Sequence, residues 1–388
     1  MTVGALEGIR VLDLASVGPG ARASRILSDY GAEVIKVGPT PRHGGVQLTP
    51  PFYAYSGHRL MKRVLLDLKN DDGRQAFLDL AATADVVLES FRPGVVDRLG
   101  IGFEQVAALN SRLVYCSTSG FGQTGPKSGW AGHDVNYLAL SGYLDCTGRR
   151  ADGSPPLPGA TVADIAAGGM HAVMAIMAAL LRREKTGAGE LLDVSIADGA
   201  FGLMSLYVDE YLATGTEPGP GHYILTGKFA CYDTYGCSDG RHVAVGAIEP
   251  VFWRNLCREL GLERYADQQM NVEAQAEIRA AMASVLATKT RDQWASRLGP
   301  ADCCVSPVLT VAEATTDEHY AERKVVVDAV HETEGPFRQT GAVWAATNRP
   351  TEPYSVRPGD ATDTGALLTE AGYTPDRLGA LLEQGVVL

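Results

Sequence analysis

The chain has 388 residues, 45% of them hydrophobic and 21% charged, enough apolar material for a sizeable buried core and roughly two to three domains. Its 34 Lys and Arg against 46 Asp and Glu give a formal net charge of -12. That balance excludes a nucleic-acid partner, because binding a phosphate backbone needs clustered cations to displace counterions.

In chain order, GIRVLDL (8–14) predicts a strand, followed by a Gly-Pro-Gly turn, a helix over ARASRILSDYG (21–31) and a strand AEVIKV (32–37). A helix over DDGRQAFLDLAATA (71–84), a strand DVVLES (85–90) and a strand RLVYCSTSG (112–120) come next. This alternation predicts an α/β, Rossmann-like large domain with a parallel sheet and crossover helices. Its first turn, with Gly18, Gly20 and Ala23, satisfies a loose dinucleotide pattern, but the second strand runs out at Val37-Gly38-Pro39 without an acidic residue for the ribose hydroxyls. No NAD or other cofactor is expected. A helix VNYLALSGYL (135–144) and the apolar IAAGGMHAVMAIMAALL (165–181) follow. The latter is shorter than the roughly 20 residues that span a bilayer and contains two glycines and a histidine, so it predicts a buried helix.

Beyond LRREKTGAG come a strand ELLDVSIADG (190–199) and a helix AFGLMSLYVDEYLATG (200–215), then a Gly/Pro-rich linker over 214–222. CYDTYGCSDGRHVAVGAIEP (231–250) predicts two strands joined at Ser238-Asp239-Gly240, with helices VFWRNLCRELG and AEIRAAMASVLA after them. From about 325, strand-like pieces lead through RPTEPYSVRPGD to two terminal helices. The expected division is a large domain over 1–215, a smaller α+β domain over 216–325, and a C-terminal segment 326–388 returning to the large domain.

Seven cysteines form an odd set without CxxC spacing, so neither zinc, another metal, nor a disulfide framework is expected. The adjacent Cys303 and Cys304 read as reduced, structural residues in ADCCVSPVL. The N-terminus enters a strand without the basic and apolar regions of a secretory leader, and a cytoplasmic protein with no membrane attachment is expected. Basic spots at HRLMKR (58–63), LRREK (181–185) and Arg92 are either solvated surface or contacts for a small anionic ligand.

Four residues are candidates for chemistry. His133, between the turn-formers Gly132 and Asp134, sits at a loop mouth before an apolar helix, where an imidazole either starts the helix or titrates in a site. Asp164 directly precedes the long apolar helix and reads as its N-cap. The small residues Ile165-Ala166-Ala167-Gly168-Gly169 after it would let a substrate approach the helix end, whose free N–H groups could hold an oxyanion. Glu249, before Pro250, is a helix-start charge or, if it touched His133, a group that orients the imidazole. Arg92 follows a strand end, where α/β sheets bind ligands.

The segments GIRVLDLASVGPGARASRILSDYGAEVIKV, ADVVLESFRPGVVDRLGIG, RLVYCSTSGFGQTGP, AGHDVNYLALSG, LLRREKTGAGELLDVSIADG and YDTYGCSDGRHVAVGAIEP resemble the family III CoA-transferases (CaiB/BaiF type) almost from end to end. Within that family, His133, where transferase members usually carry an aromatic residue, and Glu249, where many have a glycine-rich loop, fall on the side of members that racemise α-methylacyl-CoA thioesters. The resemblance implies an interlocked homodimer, its active site between the large domain of one subunit and the small domain of the other. It implies a coenzyme A thioester held by Arg42, Leu60, Met61, Lys62, Arg63, Ala84, Asp85, Val86, Arg92, Gly132, Asp134, Asn136 and Tyr137. It gives catalytic roles to His133 and Asp164 with support from Glu249. The alternative it leaves open is transfer of CoA between carboxylic acids through an acylated Asp164; a third reading is an acyl-CoA-binding protein without catalysis. Three segments depart from the family pattern: LTGKFACY, with Thr226 for an aspartate and Lys228 for a glycine, PGATVAD without an Asn, and KVGPT without an acidic turn.

Overall fold

The computed structural model describes residues 4–40, 51–345 and 352–388. Among them, six strands form a parallel sheet: β1 (Arg10–Asp13), β2 (Glu33–Gly38), β3 (Lys62–Leu65), β4 (Val86–Glu89), β5 (Val114–Ser119) and β6 (Glu190–Ser195). They lie in the order β3-β2-β1-β4-β5-β6. All five pairings are parallel. The near-continuous apolar strands are explained by burial on both faces. Val11, Val34, Val86, Leu88 and Val114 point to one face, under the helices Gly18–Asp29 and His171–Thr186. Their neighbours Leu12, Ile35, Val87 and Tyr115 point to the other, where Phe77 and Leu80 of the helix Asp71–Ala81 cover them. The C-terminal residues complete that second layer with Leu367, Leu368, Tyr373, Leu381 and Val387.

The chain divides into two compact units, and each is described by itself. The first takes the chain up to Tyr143, Leu157–Leu206 and Glu318–Leu388; the second takes Leu144–Pro156 and Tyr207–Asp317. The helix expected over 200–215 is two helices, Ile196–Leu203 and Ser205–Thr214, interrupted at Met204. The division therefore falls near this break rather than in the Gly/Pro-rich linker beyond it. The first unit also holds a small sheet in which β10 (Val326–His331) and β11 (Gly335–Thr340) form a hairpin and β12 (Tyr354–Val356) runs parallel to β10.

The second unit is an antiparallel sheet of β7 (Tyr232–Gly236), β8 (His242–Gly246) and β9 (Val305–Pro307), with helices packed around Trp253 and Trp294. Both indoles are buried without cost to their N–H groups: Trp253 donates to the Tyr265 carbonyl at 3.0 Å and Trp294 to that of Leu286 at 2.7 Å.

Three strands were not expected from sequence, among them β12, which lies inside the Pro-rich RPTEPYSVRPGD. β3 hides behind the basic run 58–63, and β9 behind the cysteine pair, of which Cys303 is buried and Cys304 exposed. Three arginines of the basic runs 58–63 and 181–185 are tied into the fold. Arg59 is buried 3.2 Å from Asp29, Arg63 donates to the carbonyls of Pro358 and Gly359, and Arg183 lies 2.9 Å from Asp85. Helical structure around 165–181 runs from Ala163 to Thr186, 24 residues, long and apolar enough by length and composition to cross a bilayer. One face of it nevertheless lies in the core, through Ala172, Val173, Ile176, Ala179 and Leu180.

Candidate active site

In an open parallel sheet, ligands bind beyond the carboxyl ends of the strands, where the strand order reverses. Here the reversal lies between β1 and β4, and a cavity of about 450 Å³ opens at that point within the first unit. The segments following β1 (Val17–Pro19) and β4 (Ser90–Pro93) and the end of β5 (Thr118–Gly120) form its floor. Ser128, Trp130, Gly132, His133, Asn136, Tyr137, Asp164 and Ile196 close it.

His133 is the residue before the helix Asp134–Leu140, in extended conformation with φ -129° and ψ 175°. Its N–H donates to Asn136 Oδ1 at 3.0 Å and its carbonyl accepts from the Asn136 N–H at 2.8 Å, so the helix start is satisfied by backbone and Asn136. The imidazole is left exposed on the cavity. Tyr137 supports it from beneath, its hydroxyl donating to the Gly132 carbonyl at 2.7 Å. Burial, then the negative charges of Asp164 and Asp134, push that phenol up to about 12, so it stays a donor at neutral pH. A side chain on Gly120 would lie 2.5 Å from this hydroxyl, which requires glycine there.

Asp164 is not an N-cap. It lies inside the widened π-type turn Ala163–Met170, behind Val162, and makes no cap hydrogen bond. Its own N–H donates to Asp134 Oδ1 at 2.9 Å and that of Ile165 to the Thr161 carbonyl at 3.0 Å, so neither amide is free for the oxyanion suggested by sequence. The small residues after it serve packing: a Cβ on Gly168 would meet Pro19 Cβ at 2.6 Å. They let this turn lie against the helix Gly18–Asp29. That contact brings Arg22 to the carboxylate, Nη1 3.8 Å from Asp164 Oδ2 and Nη2 donating to Thr161 Oγ1 at 2.9 Å. Half-burial raises the pKa of Asp164, the positive charge of Arg22 opposes the rise, and Asp134 adds to it.

Of the other residues expected to touch the thioester, Arg92, Gly132, Asn136 and Tyr137 line this cavity. Asp134 does not line it; its carboxylate joins the His133 helix to the Asp164 turn. Leu60, Met61 and Arg63 line a second cavity of about 220 Å³ in the same unit, with His58, Arg59 and Arg357. Burial, then the charges of Lys36, Arg63 and Arg25, lower the His58 pKa to about 3, so this imidazole is neutral, and both of its ring nitrogens are buried without a hydrogen-bond partner. Lys62 points elsewhere, to Glu33. Ala84, Asp85 and Val86 lie at the amino end of β4, opposite the cavity, where Asp85 Oδ2 accepts the Arg10 N–H at 2.8 Å and Oδ1 faces Arg183. Arg42 lies outside the described residues. Glu249 belongs to the second unit, exposed before the helix Pro250–Leu260, with Cys304 nearby.

Sequence reading missed Arg22, Ser90, Trp130 and the hydroxyls of Thr118 and Ser119, both buried without a hydrogen-bond partner at the cavity. It also missed Tyr55, whose hydroxyl accepts the Gly18 N–H at 2.9 Å and whose ring lies 5.6 Å from the Arg22 guanidinium. Position at a parallel-strand end was the available signal for Ser90, Thr118 and Ser119. Nothing in the sequence marks Arg22 or Tyr55.

Against known proteins, the family described as CoA-transferase family III matches residues 6–364. An alpha-methylacyl-CoA racemase of Mus musculus is 38% identical over 321 residues, 82% of this chain and 81% of that protein. An acetyl-CoA:oxalate CoA-transferase of Acetobacter aceti is 33% identical over 343 residues, 84% of this chain and 86% of that one. The crystal structure of a CaiB/BaiF family protein from Brucella suis superposes with a TM-score of 0.79 at 28% identity, covering 95% of this chain and all of that one.

Proposed function

Since the chain belongs to CoA-transferase family III, an enzyme family acting on acyl-CoA, we propose that it inverts C2 of 2-methylacyl-CoA thioesters by proton transfer through an enolate. The observation that carries this reading is the joint placement of His133 and Asp164 on one cavity, fastened to each other through Asp134. Inversion needs a base on one face of C2 and an acid on the other. Neutral His133 takes the proton from one epimer, and protonated Asp164 returns one from the opposite side; the roles exchange for the other epimer. Burial favours the protonated form of Asp164, as this exchange requires.

The thioester is positioned by Arg92 and the Gly132–Tyr137 segment, and the cationic cavity at Leu60, Met61 and Arg63 suits the phosphate end of coenzyme A. Glu249 is assigned a supporting role on the strength of the family resemblance alone. A homodimer is supported by exposed apolar side chains in the first unit, Met174, Leu181, Phe201, Leu203 and Leu206, which a second copy would cover. The competing reading, CoA transfer through an acylated Asp164, is favoured by the Acetobacter aceti relative. It requires Asp164 as a carboxylate nucleophile and a second carboxylic acid to receive CoA.

Incubation of one epimer of a 2-methylacyl-CoA in deuterated water separates the two. Deuterium at C2 with loss of chirality is expected. Absence of exchange, with CoA moving to an added carboxylic acid, would replace racemisation by transfer.

A further inference from the structure

Glu89 is a carboxylic acid where the fold has least use for one. It ends β4, the strand at the reversal of the sheet, with 2% of its surface exposed. The next residues, Ser90, Phe91, Arg92 and Pro93, all line the cavity. Glu89 Oε2 accepts the N–H of Phe91 at 2.7 Å, and the Ser117 hydroxyl of its register partner on β5 also hydrogen-bonds the carboxyl. The first bond fixes the Ser90–Phe91 peptide, the link between the strand end and Arg92.

We infer that Glu89 is a positioning residue whose ionised carboxylate clamps the Ser90–Pro93 turn in the shape that receives an acyl-CoA. The inference rests on the acyl-CoA reading of this cavity and adds a residue to it. Among the described residues, no cation forms an ion pair with the group. The charged and titratable neighbours that bear on it are Asp97 in the short helix Val95–Arg98, Asp193 on β6, and Tyr115 and Cys116 on β5. Desolvation, with smaller contributions from Asp97 and Asp193, raises its pKa to about 7 against the two hydrogen bonds. Because the folded-state pKa lies above the ordinary value of 4.5, the ionised clamp is present above about pH 7 and is lost as pH falls below it. A protonated carboxyl accepts the Phe91 N–H more weakly, since a charged acceptor roughly doubles such a bond.

The test measures the affinity of coenzyme A itself by calorimetry between pH 6 and pH 8.5, for the wild type, Glu89→Gln and Ser117→Ala. One unit below a midpoint near 7 only about a tenth of the carboxyl is ionised, so the wild-type Kd rises about tenfold from pH 8 to pH 6. Glu89→Gln keeps an acceptor of the same shape and loses this excess pH dependence, whereas titration of the ligand's own phosphate and thiol is common to both proteins and cancels. Ser117→Ala removes a hydrogen bond that favours the carboxylate and moves the midpoint to higher pH, an independent reading should Glu89→Gln fold poorly. Infrared difference spectra between wild type and Glu89→Gln show the protonated-carboxyl band appearing as pH falls through 7. A Kd profile unchanged in Glu89→Gln, or tighter wild-type binding at pH 6, overturns the assignment of Glu89 alone. Failure of all forms to bind coenzyme A at any pH overturns the acyl-CoA reading beneath it.

Discussion

Among the described residues Arg22 is the cation paired with Asp164, and removing its guanidinium isolates that interaction. At 3.8 Å two unit charges interact by about 4 kcal/mol at an effective dielectric of 20 and about 1 kcal/mol at that of water. The side chains are 25% and 19% exposed, which places the interaction toward the lower half, about 1–2 kcal/mol. Arg22 favours the carboxylate, so its loss raises the Asp164 pKa beyond what burial already does. In the direction where Asp164 is the base, the acid limb of the pH–rate profile for C2 proton exchange therefore moves to higher pH. Below that limb Arg22→Gln exchanges about 5- to 30-fold more slowly than the wild type, the factor that 1–2 kcal/mol represents. Arg22→Lys keeps the charge and much of the wild-type profile. The assay is deuterium incorporation at C2 across pH, followed in each direction from the pure epimers. An acid limb in Arg22→Gln that coincides with the wild type would refute the coupling, and with it the case for Asp164 as the group behind that limb.

His133→Ala and Asp164→Ala are each expected to lose nearly all turnover while melting within a few degrees of the wild type; wild-type-like exchange in either removes that residue from the mechanism. Lys36 and Asp13 form a fully buried pair at 2.5 Å, with no exposed surface on either side chain. Lys36→Met strands the carboxylate and costs about 3–5 kcal/mol in urea unfolding, while the double variant with Asp13→Leu recovers part of it; a single-variant loss below about 1 kcal/mol would contradict the pairing.

The legible parts of this protein are those in which the signal is local. Two-sided apolar strands alternating with amphipathic helices announced a parallel sheet, because a strand covered on both faces has no polar residues to display. His133 could be read because turn-formers flank it, and Asp164 because it precedes an apolar helix. Its predicted role as an N-cap failed, since the π-type turn starts behind it and Asp134 takes its amide. Local reading also failed at β3, whose Lys62 and Arg63 look like solvated charge until Glu33 and the carbonyls of Pro358 and Gly359 are found beside them. Ala84–Val86 and Ser90–Pro93 flank the same short strand, yet only the latter lie at the cavity, a difference set by strand direction.

By itself, then, the sequence determined the fold class, the family and two candidate site residues, His133 and Asp164, which share one cavity. It could do so because periodicity, turn chemistry and motif spacing are properties of neighbouring residues. The strand order placed the ends of β1, β4 and β5 around one cavity, the close glycine packing brought Arg22 to Asp164, and the pairing of β4 with β5 buried Glu89 beside Ser117. These depend on which distant segments share the same few ångströms, and only the tertiary structure decides that.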